Sequence, residues 1–71
     1  MPDVRVFING RGLDVSREAT ALDALQAADP GEAAAVTGGE RSITDSRGLP
    51  VDVTTPVFAG AIYRTVRARS A

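Results

Sequence analysis

Val4, Val6 and Ile8 fall on one face of an extended chain, and Arg5 and Phe7 fall on the other. That two-residue period predicts a half-buried strand. Asn9-Gly10-Arg11-Gly12 follows, and Asn and Gly tolerate the positive φ of a tight turn. Leu13 and Val15 then alternate with Asp14 and Ser16, so residues 4–16 read as a β-hairpin. After this the period changes. Thr20 is placed to cap a helix, with Asp23 at the reciprocal position of a capping box. Ala21, Leu22, Leu25 and Ala28 form one apolar stripe at helical spacing. Pro30 and Gly31 stop that helix near Asp29. Asp29-Pro30-Gly31-Glu32 is itself a helix start, with Pro suited to the first turn. It predicts a short second helix or 3₁₀ turn over Glu32–Val36, ended by Gly38-Gly39.

Further on, Ile43 centres a weak strand over 41–45, and Arg47-Gly48 is a turn. Leu49, Val51 and Val53 alternate with Pro50 and Asp52 as another strand. Pro50 lacks a ladder donor and puts that strand at a sheet edge. Thr55-Pro56 opens a loop, and Val57-Phe58-Ala59-Gly60 is expected to plug the bottom of the core. Ala61–Arg67 is the last strand, and Arg69-Ser70-Ala71 is expected to fray. The predicted order is β-β-α-β-β-β. It implies an α+β fold: a mixed four- to five-stranded sheet with one main helix packed on one face. Residues 1–71 are expected to form a single domain.

Composition narrows the chemistry. Apolar residues make up 44% of the 71, but many are Ala, so the core is thin. Such a chain gains from a partner or from self-association. It has no Cys, which excludes a disulfide framework, a thiolate metal site and a cysteine nucleophile. It has no His and no Lys either, and so lacks the usual proton shuttle, the commonest metal ligand and a Schiff-base amine. A non-enzymatic protein without metal or cofactor is expected. The opening residues are alternating and acidic, unlike a signal peptide, and no membrane span is visible, so a cytoplasmic location is expected.

Several segments resemble the β-grasp (ubiquitin-like) family. They are Ile8-Asn9-Gly10 before the first turn, Ala19-Thr20-Ala21-Leu22 opening the helix, and Ala59-Gly60-Ala61-Ile62 entering the last strand. The Ile43–Leu49 turn region and the ending with Arg64, Arg67 and Arg69 are also similar to ubiquitin. Within that family the length and order resemble the sulfur carriers of thiamine and molybdopterin synthesis. Those end in Gly-Gly, whereas this chain ends Arg69-Ser70-Ala71 and its Gly38-Gly39 is internal. Gly38-Gly39 therefore reads as a helix cap and turn. The hairpin and helix also resemble the start of plant-type 2Fe–2S ferredoxins, whose four Cys ligands are missing here.

Three features bear on function. The resemblance implies that partners meet the outer sheet face. Val4, Val6 and Ile8 face inward, but the parity of the last strand is open, because Ile62 and Val66 inward would carry Arg64 inward too unless it snorkels at the edge. On that parity the outer face would carry Arg5, Phe7, Tyr63, Thr65 and Arg67. The nine acids all lie between Asp3 and Asp52, and only Arg64, Arg67 and Arg69 follow, a basic strip for an anionic partner. Overall the chain is acidic, so nucleic acid is not the expected partner. Asp45, Ser46, Arg47 and Asp52 read as a polar turn with local hydrogen bonds. The reading that leads is a protein-binding adaptor whose partner is another protein or a second copy. The alternatives are a degenerate sulfur-carrier-like protein docking on an activating-type enzyme, and an RNA- or anion-binding module.

Overall fold

The computed structural model describes residues 3–68. Six elements follow in order: β1 (Asp3–Ile8), β2 (Arg11–Ser16), α1 (Ala21–Ala28), α2 (Pro30–Thr37), β3 (Arg41–Asp45) and β4 (Ile62–Arg67). They form an α+β fold with one mixed sheet in the order β2-β1-β4-β3. β1 and β4 run parallel at the centre, and the outer pairs are antiparallel.

The hairpin forms as its sequence dictates. Ile8 pairs with Arg11, leaving Asn9 and Gly10 as a two-residue loop with φ of 51° and 86°. Two positive φ values make the primed turn whose twist matches the strands it joins. Thr20 caps α1: its hydroxyl accepts from Asp23 N–H, while the Asp23 carboxylate accepts from Thr20 N–H. The next two free donors are also satisfied, because Ala21 N–H reaches Thr55 O and Leu22 N–H reaches Val53 O. At the other end the Arg11 guanidinium donates to Ala28 O. Thr20→Ala is expected to lower stability by about 1 kcal/mol. A fall in the urea midpoint for Thr20→Ala, with Thr20→Ser near wild type, is the check.

Two helices rather than one main helix accompany the sheet. Asp29 caps α2 through its carboxylate, Pro30 fits the first turn, and the helix runs one turn further than Glu32–Val36 on both sides taken together. Gly39, at φ 84°, closes it as a Schellman cap with Glu40 N–H on Ala35 O. Both helices share a core with one face of the sheet: Ala21, Ala24, Leu25 and Ala33 pack with Val6, Ile8, Val15, Ile43, Val57, Ala61 and Tyr63.

Two expectations are corrected. Leu49–Val53 is not a strand. It makes an isolated bridge between Pro50 and Thr44, flanked by Asp45 N–H on Leu49 O and Val51 N–H on Ile43 O. Pro50 offers no donor, and the carbonyl of Val53 is drawn to the N-terminus of α1. Of the 57–60 plug only Val57 enters the core, while Phe58 stands 63% exposed and Ala59 and Gly60 are exposed too. Among the described residues, no helix is long and apolar enough to cross a membrane.

Candidate interaction surface

The inward face of the sheet takes Val6 and Ile8 from β1 and Tyr63 from β4, since Ile8 lies beside Tyr63 in the parallel register. Phe7 lies beside Ile62, so Ile62, Arg64 and Val66 share the outer face with Arg5 and Phe7. Of the two parities open to β4, this is the one opposite to that which puts Tyr63, Thr65 and Arg67 outward. Burying Ile62 and Val66 would also bury Arg64 between them, and an unpaired guanidinium costs far more in a core than a phenol does. Ala61 and Tyr63 go in instead, at 1% and 3% exposure, and Arg64 reaches solvent.

The five residues expected together are therefore split. Arg5 and Phe7 are on the outer face. Tyr63 is in the core. Thr65 is half-buried on the helix side, where its hydroxyl donates to Glu32 Oε1 at 2.7 Å. Arg67 is exposed and lies opposite Arg41 in the β3–β4 ladder. Within the expected basic strip, Arg64 and Arg67 leave the strand on opposite faces, and Arg69 lies outside the described residues. Ile62 and Val66 are the surface residues that sequence reasoning missed. Arg64 was the signal for them, because sending it outward carries its two alternate neighbours along.

The outer face has a definite composition. Phe7 is half-buried, with Cε2 at 3.1 Å from where a Cβ would stand on Gly12, so its ring lies over the bare backbone of β2. Arg5 Nε pairs with Asp14 Oδ1 at 3.3 Å along the same face. Ile62 and Val66 are each 42% exposed. Toward the foot of β4, Ile62 and Phe58 line a cleft of about 420 Å³ together with Val51, Tyr63, Asp45 and Arg47. Two residues further along β4, Arg64 lies beside Asn9 and Gly10.

The acids near the cleft are structural. Asp45 Oδ1 accepts from Leu49 N–H at 3.0 Å and Arg47 N–H at 2.8 Å, and Oδ2 meets the Arg47 guanidinium at 3.3 Å. The Leu49 N–H above all, then Arg47, holds the Asp45 carboxyl below the usual carboxylate range. Asp52 is lowered in the same way by the N–H and hydroxyl of Thr54. Carboxylates committed to turn donors are poor proton acceptors, which agrees with the polar-turn reading.

On the helix side a polar chain ties four elements together. Asn9 Nδ2 donates to Thr65 Oγ1 at 3.0 Å, and Thr65 N–H donates to Asn9 Oδ1 at 3.0 Å. The Thr65 hydroxyl donates in turn to Glu32 Oε1, and Arg41 Nε lies 3.8 Å from the same Glu32 oxygen. The hairpin turn, β4, α2 and β3 thus meet at one point. No protein-family model matches the chain, and no curated protein or solved structure matches it significantly.

Proposed function

We propose that this protein is a non-catalytic binding module of β-grasp (ubiquitin-like) type that engages another protein through the outer face of its sheet. The parallel pair β1/β4 between two antiparallel edges, with the helices on the opposite face, supports the β-grasp reading. The observation that carries the function is the apolar strip of Phe7, Ile62 and Val66 on a sheet face that, among the described residues, no helix covers. Arg5 and Arg64 flank it, and apolar contact beside Arg is the composition of an interface centre. A central residue of such a patch typically supplies 2 kcal/mol or more, roughly a thirtyfold change in affinity.

Affinity capture with wild type and Ile62→Arg as baits tests this, both checked for folding by circular dichroism. Ile62 is already partly in water, so the variant is expected to fold and to lose the partner that wild type retains. Equal retention by both baits removes the outer face from consideration.

A further inference from the structure

Asn9 is the only asparagine in the chain, and Gly10 follows it. A glycine N–H is the least hindered backbone nucleophile toward a preceding asparagine, because no Cβ crowds the approach. Both residues are exposed, and nothing lies within 4 Å of the Cβ position of Gly10. Among the described residues, no acceptor is paired with the Gly10 N–H. Arg64 lines the same shallow depression as the turn. The nucleophile is unhindered, and the restraints lie on Asn9, whose backbone is fixed in the turn at φ 51°. The amide itself is tied down, with its Nδ2 and Oδ1 both bonded to Thr65.

We propose that Asn9 is a deamidation site whose rate is set by its latch to Thr65, and whose product opens the contact between α2 and the sheet. In the reaction the Gly10 nitrogen bonds to Asn9 Cγ, the Cγ–Nδ2 bond breaks, and ammonia leaves carrying the Gly10 proton. Solvent water then opens the succinimide. Attack at Cγ gives aspartate at position 9, and attack at the main-chain carbonyl gives isoaspartate. The net change is one water consumed and one ammonia released, with no redox partner.

The consequence follows from donor counting. The Thr65 hydroxyl has one proton, and Glu32 takes it. Its remaining contact is as an acceptor for Asn9 Nδ2. A carboxylate at position 9 has no proton to offer, so oxygen faces oxygen, and a second negative charge is set near Glu32. Either Thr65 turns from Glu32 or the turn lifts from β4. Isoaspartate also lengthens the main chain inside a two-residue loop, where the Ile8–Arg11 register leaves no slack.

The test is incubation of the full chain in mildly alkaline buffer, well below its melting temperature. Amide loss is followed by mass and located by peptide mapping. Wild type is expected to convert slowly, at Asn9. Thr65→Val, which keeps the branched shape and removes the hydroxyl, is expected to convert about tenfold faster, the ratio matching the loss of about one hydrogen bond. Thr65→Ser should restore the wild-type rate. Val15→Ala, which lowers stability by opening the core away from the turn, should not accelerate it. A Thr65→Val rate equal to wild type, equal acceleration by Val15→Ala, or loss mapped to Gln26 would overturn the latch. The product is tested separately. Asn9→Asp should speed hydrogen exchange in α2 and leave the first turn of α1 unchanged, and unaltered exchange in α2 refutes the second half of the proposal.

Discussion

Leu25→Ala is expected to cost about 2–5 kcal/mol, toward the upper end of that range. Small domains hold roughly 0.05–0.15 kcal/mol per residue, so this single change removes about half the stability of the chain or more. The reason lies in the company Leu25 keeps. It is 1% exposed, and it and Val6 are the largest side chains that are fully buried. The other fully buried helical residues around it are Ala21, Ala24 and Ala33, with Leu22, Ala28 and Val36 only partly buried at the margin. Alanines have no rotamers to swing into a vacated volume, so the cavity left by Leu25 stays open, and an open cavity adds to the lost transfer energy. The measurement is a urea unfolding curve. Wild type should show one cooperative transition, and Leu25→Ala should begin to unfold without denaturant or close to it. A loss below about 1 kcal/mol would mean that the core collapses around the gap, contrary to the packing described.

Local chemistry made much of this fold legible. Asn9-Gly10, the Thr20–Asp23 box and the Asp29-Pro30 cap each specify their geometry within a few residues, and each forms as the sequence indicates. What failed depended on competition between distant groups. Leu49–Val53 alternates like a strand, but the unsatisfied donors of α1 take the Val53 and Thr55 carbonyls. That demand arises some thirty residues away and is invisible in a window around Pro50. The parity of the last strand stayed open for a related reason. Alternation in Ile62–Arg67 permits two parities, with Ile62 and Val66 inward or Tyr63 and Thr65 inward. Apolar count favours the first. The deciding term is the penalty for burying Arg64, together with partners that only the fold supplies, Asn9 and Glu32 on Thr65. A charged residue in the middle of an apolar strand therefore fixes parity more firmly than the apolar residues beside it.

That choice left one cost in place, and it predicts the alkaline behaviour of the protein. The Tyr63 hydroxyl is buried and has no hydrogen-bond partner among the described residues. Burial raises its pKa above the usual 10.0. In the unfolded chain the phenol ionises near its ordinary value. Between that value and the raised folded one, the unfolded state gives up a proton that the folded state keeps. Stability is therefore complete below about pH 10 and falls as pH climbs through that window. The composition makes the experiment clean. There is no Lys, Cys or His, and Arg stays charged, so Tyr63 is the only side chain that titrates between about pH 9 and 12. Phenolate absorbance and unfolding should rise together, in one cooperative step. Tyr63→Phe keeps the ring and removes the orphan hydroxyl. At neutral pH it should match or exceed wild type by about 1 kcal/mol, because an unsatisfied buried group is lost. In alkali its stability should stay flat where that of wild type falls. A wild type that ionises at an ordinary pKa while still folded, or a Tyr63→Phe variant clearly weaker than wild type at pH 7, would mean that the hydroxyl is hydrogen-bonded in solution and that β4 buries it without penalty.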